Sequence, residues 1–547
     1  MKFNRTRTFC LLLILLLYKS YFAAQAFSSG HVTGPLEFIS SNLPIVVIDT
    51  YGKSILDEYR IVAHMKIIHN GEGQRNYATD LPNEYDGKIA IELRGSSSLS
   101  YPKKQYRFET QDSLGENLNI SILGLPGEND WIFYGPYDDG SLIRNVLAYK
   151  LSNDIGRYAS RTRFCELVIN RDYRGLYVLM EKIKCDRYRV NISHMDSSDT
   201  VGDALTGGYI IKIDKMEGEN IGYWRSYKGT YYQYHYPRAD QITPEQKSYI
   251  RNFMNTFETV MIRTECADPN NGYPKYIDVE SFVDHFILNE FCKNVDAYRI
   301  SAFMYKDRDS EGTRLNAGPI WDFNLSLGKA WFSEDNYLIK GWEVDHNHYR
   351  PDDWPKVPFW WEKLGHEPAF ASRVETRWRD LRDGILQKDS LYSTIDSLVD
   401  FIAEARERNF QRWPKSGNAE TYMKEIQLLK QWIDDRIDWI DENIDKLTSA
   451  QPLSQTETTP KRFALEQNYP NPFNQITKIR FGLPKTSKAK IEIYNISGQK
   501  VLTLIDSRKP AGYHIIEFNA ANLPSSVYFY RIQADNFKDV KKMTYLK

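Results

Sequence analysis

Residues 43–50, 60–69 and 88–94 run through apolar or alternating stretches bounded by Gly, Asn and Asp, and each predicts a β-strand. Residues 106–110 predict another after a Ser-rich loop. Residues 165–170 and 175–181 predict two more, joined by the hairpin signal Asn170-Arg171-Asp172-Tyr173-Arg174-Gly175. One helix interrupts them at 141–153, where Leu142, Val146 and Tyr149 share a face. After residue 240 the period changes from two to 3.6. Asp278 caps a helix whose Val279, Phe282, Val283, Phe286 and Ile287 form one apolar stripe. Ile395, Leu398, Val399 and Ile402 repeat that stripe, as do Ile426, Leu429, Ile433 and Ile440. A strand-rich lobe followed by a helical one predicts a two-lobed α+β body with a cleft between the lobes.

Strand periodicity returns at the C-terminal end. Residues 476–481, 490–494, 501–504, 512–518 and 527–533 alternate, and Asn495-Ile496-Ser497-Gly498 and Leu523-Pro524-Ser525-Ser526 punctuate them. Short strands with regular turns predict a small all-β sandwich over 463–547. Residues 448–462, rich in Ser, Thr and Gln, read as a solvated linker that leaves 27–447 as one large body. At the other end Lys2, Arg5 and Arg7 precede a short apolar run, and Ala24-Gln25-Ala26 fits a cleavage site. Residues 1–26 are therefore expected to be an export signal peptide, and no later stretch is apolar enough to span a bilayer.

Composition narrows the classes. With 41% hydrophobic and 26% charged residues the chain of 547 is globular. Its 71 Lys and Arg against 72 Asp and Glu give a net charge of −1, which argues against nucleic acid as a partner. The charge is uneven: residues 463–547 hold 13 Lys and Arg against six Asp and Glu, a net of +7, and this change of sign supports the boundary. Cys165, Cys185, Cys266 and Cys292 follow the signal with no CxxC, so a structural zinc site is not expected. A Cys165–Cys185 bridge and free buried thiols both remain open.

Three segments carry candidate chemistry. In Arg94-Gly95-Ser96-Ser97-Ser98 a small-residue loop follows a strand, and Lys103 and Lys104 open the next one. Small residues let backbone N–H groups approach phosphate, and a lysine supplies a point charge, although alternation lets only one of the two face a cleft. In Asn294-Val295-Asp296, after the capped helix, Asp296 could orient a hydroxyl and take its proton. In Trp321-Asp322-Phe323-Asn324 an aspartate lies among large apolar side chains, where it is costly unless paired or bound to a metal. Such oxygen donors suit Mg²⁺ or Mn²⁺.

Together these segments resemble the CotH (spore-coat protein H) family of atypical protein kinases. The run Asp139-Gly140-Ser141-Leu142-Ile143-Arg144-Asn145, the Gly175 to Glu181 strand and Gly207-Gly208-Tyr209-Ile210-Ile211-Lys212-Ile213-Asp214 complete the resemblance. It implies a two-lobed kinase-like fold that binds ATP with a divalent metal, Mg²⁺ or Mn²⁺, and phosphorylates serine (or threonine) on surface or extracellular proteins. It also implies roles: Asp296 as the catalytic aspartate, Asp322 and Asn324 on the metal, and Arg94, Ser98, Lys103 or Lys104, and Glu181 around the nucleotide. Asn324 stands where many members have a second Asp, and Ser301 takes a position that ordinary kinases give to Asn. The opening Gln467-Asn468-Tyr469-Pro470-Asn471-Pro472-Phe473 resembles the C-terminal sorting domain of type IX secretion substrates, which implies that secretion machinery as a partner and a secreted or cell-surface location.

Two other classes stay open. A secreted glycoside hydrolase would use Asp296 with Asp322 or Glu181 as its carboxylate pair. A non-catalytic binding or scaffold protein would keep the fold without the transfer. The Trp-rich stretch 354–361, with Trp378 and Trp413, is read as packing of the helical lobe.

Overall fold

The computed structural model describes residues 38–216, 222–312, 314–330, 339–351, 353–449, 460, 462–468, 471–521 and 523–546. The expected signal peptide and most of the expected linker lie outside the described residues.

Seven strands close into a barrel: β1 (Ile45–Asp49), β2 (Ile61–Ile68), β3 (Tyr85–Arg94), β4 (Gln105–Gln111), β5 (Asp130–Tyr134), β6 (Thr162–Ile169) and β7 (Asp172–Glu181). Their order is β6-β7-β5-β4-β3-β2-β1, and β1 closes the ring by pairing parallel to β6, with Val46 opposite Leu167. Pleating sends alternate residues to opposite faces. Trp131, Phe133, Tyr177 and Leu179 fill the barrel, while Ile132, Tyr134, Leu176, Val178 and Met180 join the core of the next region. Because residues 131–134 of β5 and 176–180 of β7 are buried on both faces, those stretches are unbroken apolar runs.

The helix α1 (Arg144–Asp154) links β5 to β6. It starts three residues later than expected because Asp139 folds the preceding turn. The Asp139 carboxylate accepts from the Ser141 N–H and hydroxyl, the Arg144 N–H and the Arg144 guanidinium. Val146, Leu147, Ala148, Tyr149 and Leu151 are all buried, so α1 has core on every side.

The second region is built on a sheet. Strands β8 (Tyr209–Ile213), β9 (Tyr223–Arg225), β10 (Tyr231–Tyr236), β11 (Ala302–Lys306) and β12 (Asn316–Ala317) pair in the order β9-β10-β8-β11-β12. Here the reading of the chain as helical after residue 240 needs correction, since β11 and β12 return to complete the sheet. They are too short to show a period. Around the sheet pack α2 (Pro244–Ile262), α3 (Val279–Cys292), α4 (Phe359–Gly365), α5 (Pro368–Arg382), α6 (Lys388–Phe401), α7 (Ala403–Arg412) and α8 (Ala419–Asn443). The Asp278 side chain caps α3, accepting from the Ser281 N–H at 2.8 Å. Trp360, Trp361 and Trp378 are buried, but Trp354 is 58% exposed and does not pack the lobe. All four cysteines are free, so the Cys165–Cys185 bridge does not form.

The C-terminal region is all β. Strands β13 (Ile476–Leu483), β14 (Ser487–Tyr494), β15 (Lys500–Lys509), β16 (Gly512–Asn519), β17 (Ser526–Ala534) and β18 (Phe537–Tyr545) form two sheets. One holds β13 and β16 with the short strand Ala464–Leu465; the other has the order β15-β14-β17-β18. Ile479 and Phe481 from the first meet Ile491, Ile493, Tyr530 and Ile532 from the second in one core. Strand β18 went unread because Lys538, Lys541 and Lys542 dilute its pattern, a common feature of edge strands.

Candidate active site

Two loops meet where α3 ends. Lys293 closes the helix in the left-handed conformation at φ 47°. The 294–301 loop then crosses to β11 beside the 318–328 loop, held by Val295 N–H to Leu325 O at 3.3 Å and Leu327 N–H to Cys292 O at 2.7 Å. Helix α1 fixes the second loop. The Phe323 N–H donates to Asn145 Oδ1 at 2.8 Å, and the Asp322 N–H to the Tyr149 hydroxyl at 3.1 Å. These bonds hold Asp322 at φ 57°, a region that residues other than glycine seldom occupy and that is retained where surrounding structure over-determines it.

The carboxyl of Asp322 faces other acids. Its hydrogen-bond donor is the Ser301 hydroxyl at 3.3 Å. Burial raises its pKa above the usual carboxylate range; Asp214 and Asp296 add to that, while the Arg94 guanidinium opposes it. Arg94, at the end of β3, lies 5.9 Å from the centre of the Trp321 ring and donates to Gln105 Oε1 at 3.1 Å. Asp214, just past β8, accepts from Lys212 Nζ at 2.7 Å and from the Ser301 N–H at 3.3 Å. Asp296 Oδ1 accepts from Arg299 Nη2 at 3.1 Å, and Arg299 also holds the carbonyls of Val295 and Pro355. Among the described residues neither Asp296 Oδ2 nor the Asn324 side chain makes a hydrogen bond.

The donor set suits a hard cation, because it consists of carboxylate, amide and hydroxyl oxygens. Among the described residues no three Asp, Glu, His or Cys side chains converge closely enough to enclose an ion. Mg²⁺ usually takes one or two carboxylates and completes its shell with water and substrate phosphates.

The expected nucleotide contacts divide. Arg94 reaches the cleft, and the loop after it is shaped by Gly95 at φ 125°, where a Cβ would come within 2.0 Å of Ser98 Oγ. Ser98 thus folds back on its own loop, in the short turn Ser97–Ser100. Lys103 lies elsewhere: it is fully buried and donates to Leu176 O at 2.6 Å and Asn409 Oδ1 at 2.8 Å, between β7 and α7. Burial drives its pKa well below the usual lysine range. Lys104 donates to Leu99 O at 2.5 Å and braces the serine turn. Glu181 is fully buried and paired with Arg161 at 2.9 Å and Arg189 at 3.1 Å. Those arginines occupy both of its oxygens and leave it structural in this arrangement. Sequence reasoning assigned no role to Asn145, Tyr149, Lys212 or Trp321. Their signal was membership of the quoted runs, without any spacing that singles them out.

Comparison with known proteins bears on this arrangement. The family model described as CotH kinase protein matches residues 91–440. The chain belongs to the CotH kinase family. Its match begins inside β3, so the barrel strands β1 and β2 lie upstream of the matched CotH segment. A second model, the secretion system C-terminal sorting domain, matches residues 467–545, from just after the short strand Ala464–Leu465 to the end of β18. This CotH protein therefore carries a type IX sorting tail, which directs it to the cell surface or the extracellular space, and no helix among the described residues is long and apolar enough to cross a membrane. No curated protein matches the chain. Among solved structures, the twitchin kinase region from C. elegans aligns over 94% of this chain and 99% of its own at 11% identity, with a TM-score of 0.12, a likeness too low to carry an argument.

Proposed function

We propose that this CotH protein is an ATP-dependent protein serine kinase acting on surface or extracellular proteins, on a two-lobed kinase-like body extending over 27–447. One observation supports it above all: Asp322, Asp296, Asp214 and Arg94 gather between the barrel and the second region, with Asp322 left short of donors. Phosphoryl transfer asks mainly for positioning and charge neutralisation. Asp322 and Asn324 would hold a divalent cation, Mg²⁺ or Mn²⁺, which supplies positive charge against the phosphates. Arg94, rather than Lys103 or Lys104, is the barrel's cation toward the phosphates. Arg299 fixes Oδ1 of Asp296, which leaves Oδ2 to accept the proton of the acceptor hydroxyl as its oxygen bonds to the γ-phosphorus and ADP departs. Lys212 and Ser301 hold Asp214 in place beside them. The pairing of Glu181 with two arginines disfavours the glycosidase reading that uses it.

The test is incubation with labelled ATP, Mg²⁺ and the surface-protein fraction, with mass spectrometry to identify phosphate on serine. Asp296→Ala should retain nucleotide binding and lose transfer by about 10²- to 10⁴-fold. Equal phosphorylation by Asp296→Ala and the unaltered protein would overturn the role given to Asp296.

A further inference from the structure

Trp354 is a tryptophan of the second region that stays exposed, and it borders a groove. The groove has a volume of about 230 Å³. One wall is Ile213 and Asp214 at the end of β8 with Tyr231 at the start of β10; the other is Trp354, Pro355 and Phe359. Trp354 and Tyr231 meet edge to face across it, with ring centres 5.8 Å apart.

Each wall is tied to one carboxylate of the proposed active site. Asp214 accepts from the Ser301 N–H at 3.3 Å, and the Ser301 hydroxyl donates to Asp322 Oδ2 at 3.3 Å. On the opposite wall Pro355 O accepts from Arg299 Nη1 at 3.3 Å, while Nη2 of the same arginine holds Asp296 at 3.1 Å. The groove wall is therefore linked to each of the two aspartates through a single residue, Ser301 on one side and Arg299 on the other. Asp214, the carboxylate in its lining, is already paired with Lys212 at 2.7 Å. Lys228 and Lys356 also line the groove, but most of its wall is ring face, proline and aliphatic surface, which seats an apolar side chain.

We propose that this groove is the acceptor site: it holds an extended segment of the substrate protein, with a bulky apolar side chain near the serine in sequence packed against the Trp354–Tyr231 pair. The inference rests on the kinase reading for what happens to the serine, but the binding itself does not. Trp354 and Tyr231 set acceptor specificity in this arrangement, and nucleotide affinity is independent of them.

The experiment uses the full chain and two fluorescein-labelled peptides of equal length and charge, one with Phe beside a central Ser and one with Gly in place of that Phe. Fluorescence anisotropy reads binding, and labelled ATP reads transfer. The Phe peptide should bind more tightly than the Gly peptide. Trp354→Ala should weaken the Phe peptide by about tenfold, leave the Gly peptide and ATP affinity unchanged, and keep the wild-type melting temperature. Trp354→Phe should restore most of the loss. Equal binding of the two peptides, no binding of either, or unchanged Phe-peptide affinity in Trp354→Ala would each overturn the acceptor groove. Selective binding of the Phe peptide without any phosphate transfer would uphold the groove and defeat the kinase reading instead.

Discussion

At the start of the 294–301 loop, Glu343 lies 3.3 Å from Lys293 Nζ and is hydrogen-bonded to His346 Nδ1 at 2.8 Å. Burial works against its charge, yet Lys293 and His346 hold its pKa down to about 2. In the cleft beside the same loop, Asp322 faces Asp214 and Asp296, with the Ser301 hydroxyl as its donor, and its pKa is pushed up. Both carboxylates belong to one region of one fold. The first is compensated by a buried lysine and histidine of the chain, whereas the second has a hydroxyl donor and acidic neighbours. Structural ion pairs are one common use of a buried carboxylate, and a carboxyl whose pKa is raised beside other acids in a cleft is a candidate functional group.

The comparison breaks first at Lys293. Lys293→Met removes the partner of a buried carboxylate and should cost about 3–5 kcal/mol in urea unfolding; a loss below about 1 kcal/mol would mean that Glu343 is not held by that lysine. Lys103 sharpens the contrast from the barrel side. Lys103→Met leaves Leu176 O and Asn409 short of a donor, so about 1–3 kcal/mol of stability should go while the affinity for Mg²⁺-ATP stays as it was. A large loss of nucleotide affinity in that variant would return Lys103 to the phosphate site. The smallest effect, and the one of opposite sign, belongs to Asp322. A carboxyl whose pKa is raised by folding costs stability when it is ionised, so the cost is present at neutral pH and relieved as pH falls through the folded-state pKa. Asp322→Asn should therefore make the metal-free protein modestly more stable at pH 7, with the gain fading in acid. Destabilisation by Asp322→Asn at pH 7, or a gain that grows in acid, would show that the carboxyl is satisfied within the chain.

Much of this was legible before any coordinates. The apolar runs at 43–50, 60–69 and 175–181 became barrel strands, and Asp278 caps α3, because both signals are local. What escaped was set by tertiary contact. Lys103 lies two positions before β4 and its neighbour Lys104 has the same chemistry, so nothing in the order of residues says that Asn409, 306 residues away, would claim the first of them. Glu181 belongs to the same class, since Arg161 and Arg189 reach it only once β6 and β7 have paired. Tyr149 looked like one more apolar position on α1, and its hydroxyl under the Asp322 N–H is visible only when the helix meets the 318–328 loop. Asp322 stood out in the sequence because its neighbours are apolar, and Asp296 because it follows the capped helix α3.

The most direct test is thermal unfolding of the full chain and of Asp322→Ala, each with Mg²⁺ and a non-hydrolysable ATP analogue. At a ligand concentration about 100-fold above Kd, binding to the folded state contributes about 2.7 kcal/mol. The account predicts a rise of several degrees in Tm for the unaltered protein that needs both Mg²⁺ and nucleotide and is absent in Asp322→Ala. An equal rise in the two proteins, or none in the unaltered one, would contradict it.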